Sequence, residues 1–271
     1  MIWINGELQE TIQVKDRAVQ FGDGCFTTAR IMHGKVVALN AHLNRLREAC
    51  DRLLIYHINW QMLQNEMVMA AATRSAGVLK VIVSRGAGGR GYSASGCQQP
   101  SRVIMLSDYP AHYHQLRQNG VKLALSSVRL GRNPLLAGIK HLNRLEQVLI
   151  RTELEQTAAD EALVLDTRGM LVECCAANLF WREGESVYTP ELTECGVNGI
   201  QRRWVIRQLA EQNIAVTEVS VPPSALEKAD EIFITNALMP MLPVAEIENR
   251  RYGSRELFNR LSKLNDFQGN L

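Results

Sequence analysis

No two of the six cysteines, Cys25, Cys50, Cys97, Cys174, Cys175 and Cys195, have the CxxC spacing of a metal or redox pair. The adjacent Cys174 and Cys175 neither bridge each other easily nor share one tetrahedral metal. On a strand, alternation sends one of these thiols inward and the other outward, which predicts packing rather than chemistry. His112 and His114 have no nearby HExxH or cysteine cluster, so they read as solvated histidines and no metal site is expected. No apolar run approaches the ~20 residues of a membrane span. The start, MIWINGELQE, lacks a basic stretch followed by an apolar one. That predicts no secretory leader, and reduced thiols in a cytoplasmic protein. An excess of charge is lacking too. A formal net charge of +2 gives no global pull toward nucleic acid or a membrane surface, though a local basic pocket remains open.

What is present suffices for a substantial core. With 46% hydrophobic residues over 271 positions, the chain reads as a soluble globular enzyme of one large domain or two modest ones. Alternation around Asn5-Gly6 predicts a hairpin with a type I′ turn. DRAVQFGDGCFTTARIMHGKVVALN reads as two strand-like runs joined by HGK. AHLNRLREACDRLL switches to helical spacing, with Leu43, Leu46, Cys50 and Leu53 on one face. A second helix is expected over about 60–74. VLKVIVSR and RVIMLSDYP read as strands flanking a long glycine-rich loop. The polar stretch 111–120 has no strong period and is the candidate connection between an N-terminal domain, 1–112, and a C-terminal domain, 121–271, with 113–120 as the linker. Beyond it come the strand VKLALSSV, a helix beginning near His141, the hairpin EALVLD-TRG-MLVEC and the strand pair NLFWREGESVYTP. The helix GIQRRWVIRQLAEQN, the strand AVTEVSV, the short helix PSALEKAD and the strand EIFITNA complete a mixed α+β pattern without internal repeats.

Several features are candidates for chemistry. Gly86, Gly88, Gly89 and Gly91 follow a strand, but no helix opens after them, so the dinucleotide-binding reading fails on context. That loop is either a flexible connection or a place where Arg85, Arg90 and Tyr92 hold a carboxylate. His42 and Arg45, three apart, share a helix face away from the leucines; they are either solvated or a basic anchor for an anion. In CGVNGIQRR the amides of Asn198, Gly199 and Ile200 open a helix, a ready phosphate site. Glu173 in MLVEC faces either solvent or a pocket, where it favours a protonated nitrogen. In GIKHLNRLEQVL, Lys140 stands just before the expected helix, where the macrodipole disfavours a cation. Either it is a solvated lysine, or its amine is meant to be neutral and reactive.

The ordered set FGDGCF, HLNRL, KHLNRLEQVL, VECCAANLFW and GVNGIQR resembles the class IV (fold-type IV) pyridoxal-phosphate enzymes over roughly residues 2–245. This family includes the branched-chain and D-amino-acid aminotransferases. The resemblance implies two α/β domains with a cofactor cleft between them, and a homodimer. It implies that Lys140 forms the imine with pyridoxal 5′-phosphate, that Glu173 keeps the pyridine nitrogen protonated, and that Arg45 holds the phosphate. Asn198, Gly199 and Ile200 assist Arg45, as does the turn Thr235, Asn236 and Ala237. Where aminotransferases carry a hydroxyl, this chain has Ala237, and where some relatives place a tyrosine it has Leu145. By the same resemblance Arg90 and Tyr92 bind the substrate carboxylate, and Thr27 and Tyr109 line the substrate side.

Within the family, SRGAGGRGYS, YPAHY, VRLGRNPLLAGIKHLNRLEQVLIR, DEALVLD, TECGVNGI and NALMPMLPV are similar to the lyase branch. That implies conversion of 4-amino-4-deoxychorismate to 4-aminobenzoate and pyruvate, in folate biosynthesis. It also implies that Lys140 acts as the proton carrier. The alternatives are a D-amino-acid or branched-chain-type aminotransferase on the same fold, and a cofactor-free binding protein whose lysine and arginines are surface charges.

Overall fold

A computed structural model describes residues 1–239 and 241–264. The chain forms two compact α+β units, Met1–Tyr109 with Ile139–Asn143, and Pro110–Gly138 with residues 144–264. The last residues of the expected C-terminal domain, 265–271, and Pro240 within NALMPMLPV lie outside the described residues.

The first unit is built on strands β1 (Ile2–Ile4), β2 (Glu7–Leu8), β3 (Gly24–Met32), β4 (Lys35–Val36), β5 (Ala76–Ser84) and β6 (Ser101–Ser107). They form one antiparallel sheet in the order β2-β1-β6-β5-β3-β4. Asn5 and Gly6 both take positive φ, 54° and 89°, as a type I′ turn requires. Helices α2 (Leu39–Arg52) and α3 (Trp60–Ala72) cover one face. Leu43, Leu46 and Cys50 of α2 join Leu63 and Met67 of α3 over Cys25, Ile31, Leu79 and Val81 of the sheet. One segment differs from its strand-like expectation: Arg17–Phe21 is a short helix, α1. The Asp16 carboxylate accepts the Ala18 amide at its start, and Gly22, at φ 62°, ends it.

The second unit holds a nine-stranded sheet. Its strands are β7 (Val121–Leu130), β8 (Glu161–Asp166), β9 (Leu171–Cys174), β10 (Asn178–Glu183), β11 (Ser186–Pro190), β12 (Val216–Val219), β13 (Glu231–Thr235), β14 (Leu242–Ile247) and β15 (Arg250–Arg251). The order is β12-β11-β10-β13-β14-β7-β8-β9, with β15 beside β14. Strands β8, β9 and β13 are buried along their whole length and read as nearly continuous apolar runs. Leu179, Trp181, Ile232 and Ile234 enter one core. Phe180 and Phe233 point the other way, stacked 5.2 Å apart beneath helices α6 (Ile200–Ala210) and α7 (Glu256–Leu264). A 3-10 turn spans Pro223–Lys228.

Three findings depart from the sequence reading. The polar stretch expected to connect the domains contains a helix, α4 (Tyr113–Asn119). Tyr113 and Leu116, four residues or fewer apart, pack on the second unit's core, so a weak apolar stripe suffices once a surface receives it. The helix expected near His141 begins four residues later, as α5 (Leu145–Leu154). Strands β14 and β15 and helix α7 lay beyond the patterns read from the sequence. The start of α7 is held by Glu231, fully buried on β13, whose carboxylate accepts the amides of Leu257 (2.9 Å) and Phe258 (2.7 Å). No helix among the described residues is long and apolar enough to cross a membrane.

Glu231→Ala leaves the first-turn amides of α7 without their acceptor. It is expected to destabilise the protein by about 2–4 kcal/mol, read as a lower urea midpoint. A pH signature comes from Glu161, where burial, only partly offset by the amides of Ala162, Ala176 and Cys175 and the charge of Arg151, pushes the carboxyl up to about 7. Its folded value lies above its unfolded one, so the folded state holds the extra proton. Stability is therefore expected to fall by roughly 2–3 kcal/mol as pH rises from 4.5 through about 7. A Glu161→Gln variant that keeps the same slope in urea titrations across that window would refute the assignment.

Candidate active site

In the first unit the segment Ile139–Asn143 runs along the start of β3. The Phe26 amide donates to the Lys140 carbonyl at 2.9 Å, and the Leu142 amide to the Gly24 carbonyl at 3.0 Å. A side chain at Gly24 would stand 2.4 Å from the Val83 carbonyl oxygen, which only glycine avoids. The segment is bridged to β3 in place of a helix from His141, and Lys140 stands five residues ahead of α5. The helix field falls off within its first turn, so it does not explain the lysine. The Lys140 Nζ lies instead 4.7 Å from the centroid of the Phe26 ring.

The next residue on β3 points the other way. Thr27 Oγ1 lies 2.6 Å from His42 Nδ1 and accepts a hydrogen bond from Arg45 Nη2. His42 and Arg45 are 1% and 6% exposed, so the solvated reading of this pair is overturned. Both point inward from α2 because the strand places a hydroxyl between them. Burial, and then the Arg45 charge, hold the His42 imidazole well below its ordinary value, so the ring is neutral. The bond order follows: Arg45 donates to Thr27, and the Thr27 hydroxyl donates to a bare Nδ1.

In the second unit Glu173, on β9, is 5% exposed, so the solvent-facing alternative is excluded. Its Oε2 accepts the Val197 amide at 2.8 Å. Burial lowers the pKa of Arg144, while the charges of Glu173 and Glu146 act to keep it protonated. Asn178 Nδ2 donates to the Val197 carbonyl at 2.8 Å, and Asn178 pairs with Thr235 across β10 and β13. Gly199 caps α6 without a side-chain bond, and a Cβ there would sit 2.2 Å from Asn178 Oδ1. The Thr235 hydroxyl is buried and has no hydrogen-bond partner among the described residues. Glu173, the turn 197–199, Asn178 and Thr235 thus form one connected neighbourhood.

A family model described as "Amino-transferase class IV" matches residues 24–247. The chain belongs to the class IV aminotransferase family. It is 37% identical to the aminodeoxychorismate lyase of Vibrio harveyi over 91% of each chain. It superposes on a crystal structure of 4-amino-4-deoxychorismate lyase from Pseudomonas aeruginosa with TM-score 0.92 and 34% identity, covering 98% of this chain and 100% of that one. A putative branched-chain-amino-acid aminotransferase of Methanocaldococcus jannaschii is 28% identical over 98% of this chain and 94% of its own.

The class IV cofactor, pyridoxal 5′-phosphate, has an aldehyde, a ring nitrogen and a phosphate, and the donor set suits each. The first unit carries an amine at Lys140 and a buried cation at Arg45. The second carries a buried carboxylate at Glu173, an uncapped helix start at Gly199 and Ile200, and the unpartnered Thr235 hydroxyl. Other residues named from the sequence do not stand free for ligands. The Asn198 amide donates to the Gly138 carbonyl at 3.0 Å, so only the following amides remain to face an anion. The Asn236 side chain holds its own turn, accepting the amides of Leu238 and Met239 and donating to the Ala176 carbonyl; Ala237 within that turn is half-buried. Thr27 serves Arg45 and His42 from the side of β3 opposite Phe26.

Arg85 is not a substrate arginine: it pairs with Asp23 at 2.7 Å and caps the carbonyls of Leu53 and Leu54. Burial works against the Asp23 charge, but Arg85 and Arg17 outweigh it and hold the carboxyl below its usual value. Arg90 and Tyr92 are exposed on the loop, Tyr92 at 90%. Tyr109 carries the Arg30 guanidinium 4.4 Å above its ring. Sequence reasoning missed Phe26, Arg144 and Asn178. The alternation of GCFTTARIM was a usable signal for Phe26; nothing local marks the other two.

His42 is expected to stay neutral at about pH 6, half a unit below the ordinary imidazole value, since protonation would remove the acceptor for Thr27. The ¹⁵N shifts of a histidine-labelled sample report this directly, and a ring that titrates normally would contradict the bond order.

Proposed function

We propose that this protein is a pyridoxal-phosphate-dependent carbon–oxygen lyase that converts 4-amino-4-deoxychorismate to 4-aminobenzoate and pyruvate, a step of folate biosynthesis. The observation that carries this reading is the near-full-length likeness to two lyases, closer than that to the aminotransferase relative. Lys140, whose backbone is held to β3 and whose amine lies beside Phe26, would be the residue that holds the cofactor aldehyde. Arg45, with Thr27 and His42 behind it, holds the phosphate, assisted by the amides of Gly199 and Ile200 and by the turn Thr235–Asn236–Ala237. Glu173, whose Oε2 accepts the Val197 amide, would hold a proton on the ring nitrogen.

When bound, the cofactor supplies an electron sink for the pair released as a proton leaves the amine-bearing carbon. With its amine free and neutral, Lys140 would take that proton from C4 as the base. The C3–O bond then breaks and the ring becomes aromatic. Lys140 returns a proton to the methylene carbon of the departing enolpyruvate, which leaves as pyruvate. The atoms of the substrate are those of the two products, so no water is consumed. One positioned base contributes ~10²–10⁴-fold, and aromatisation supplies a large driving force, so few further acids are required. The working form is a cytoplasmic homodimer.

The second reading, amino transfer on the same scaffold, is supported by the aminotransferase relative. Incubation with 4-amino-4-deoxychorismate is expected to release 4-aminobenzoate and pyruvate only when pyridoxal phosphate is present. Incubation of D-alanine or leucine with 2-oxoglutarate is expected to give little transfer, and the reverse pattern would decide for an aminotransferase. Lys140→Ala is expected to lose the imine absorbance band and at least ~10³-fold of the activity; full lyase activity in that variant would end the proposal.

A further inference from the structure

Lys80 and Arg30 are half-buried cations without an acidic partner among the described residues. Strands β3, β5 and β6, which form the middle of their sheet, contain no aspartate or glutamate at all. The register pairs Phe26 with Ile82, Thr28 with Lys80 and Arg30 with Val78. Directly opposed residues share a face, and alternate residues along a strand share it too. Phe26, Thr28, Arg30 and Lys80 therefore stand together on the face opposite the one that α2 and α3 cover. Lys80 Nζ lies 5.1 Å from the centroid of the Phe26 ring, the same ring that Lys140 Nζ approaches at 4.7 Å. Arg30 stands one row beyond Lys80, ~7 Å along the strand, laid over Tyr109.

Holding cations partly out of water with no counter-charge costs free energy, and an arriving anion recovers it. The substrate of the proposed reaction is a dianion, whereas each product carries one carboxylate. We infer that Lys80 and Arg30 are the docking pair for the two carboxylates of that substrate, an inference that rests on the lyase reading. Lys80, which shares Phe26 with Lys140, takes the enolpyruvyl carboxylate, because the ether oxygen is attached beside the amine-bearing carbon. Arg30, one row further away, takes the ring carboxylate, which lies para to the amine. Tyr109 keeps the guanidinium extended. Breaking the C3–O bond divides the two charges between two products, and neither product then engages both cations.

The test uses the holoenzyme. Lys80→Met and Arg30→Met are each expected to raise KM for 4-amino-4-deoxychorismate about ten- to hundredfold, with kcat within about threefold and the imine absorbance band unchanged. Lys80→Arg is expected to restore most of KM, which a merely structural role would not predict. Calorimetry with two amine-free probes gives a readout apart from turnover. The dicarboxylate 3-(carboxymethoxy)benzoate is expected to bind the native protein at least about tenfold more tightly than 3-methoxybenzoate, and each methionine variant to erase that preference. Equal binding of the two probes, or an unchanged KM in Lys80→Met, overturns the docking pair. Native protein that releases no 4-aminobenzoate overturns the lyase reading instead, and the probe preference then judges the two cations alone.

Discussion

Two backbone hydrogen bonds, from Phe26 to the Lys140 carbonyl and from Leu142 to the Gly24 carbonyl, are the constraint on which the candidate site depends. A lysine side chain has four rotatable carbons and is a poor reference point for chemistry unless its backbone is fixed. Here the segment is locked to a central strand, itself paired on its other edge with β5. The lock needs glycine at position 24, since any Cβ there would strike the Val83 carbonyl. The segment runs beside β3 as extended chain, and α5 starts only at Leu145. The side chain that results rests against Phe26, and the neighbouring cation Lys80 rests on the same ring.

Buried charge is the second organising element. Within each unit, several charged groups held out of water meet partners that come from a different part of the chain. Arg45 on α2 donates to Thr27 on β3, whose hydroxyl donates to a neutral His42. Glu173 on β9 meets the Val197 amide and the charge of Arg144. Asp23 stands between Arg17 and Arg85 at the entrance to β3, where it ties the loop after β5 to the strand. Losing one partner of such a group leaves an uncompensated charge, which costs far more than a surface pair is worth. These contacts therefore make the local geometry stiff, which an enzyme needs where a proton is moved over one bond length.

Much of the fold was legible because its elements carry strong periodic signals. The heptad-like leucines of α2, the Asn-Gly hairpin at the start and the Asp-Thr-Arg-Gly hairpin before β9 all stand where local physics puts them. The departures have a common cause. Helix α1 is five residues long and depends on Asp16, which Ser84 and Ser101 orient from far along the chain. Helix α4 is polar by composition and stands because Tyr113 and Leu116 find a core. Helix α7 starts where Glu231 receives it. In each case the stabilising partner is remote in sequence, so no window of ten or fifteen residues contains the reason.

The same division holds for the site. The sequence by itself determined which chemistry was at hand: a lysine ahead of a helix, an acid inside an apolar strand and a glycine turn opening a helix, in an order specific enough to indicate a family. It also determined the alternation that puts Phe26, Thr28 and Arg30 on one side of β3 and Thr27 on the other. The tertiary structure alone decided which of these groups are out of water. His42 and Arg45 were equally consistent with a solvated face until Thr27 was placed between them, and Lys140 was a misplaced cation until β3 took up its backbone. The reason is dielectric. A side chain's charge and reactivity are set by the groups within a few ångströms of it, and in this protein those groups come from strands and helices tens of residues away.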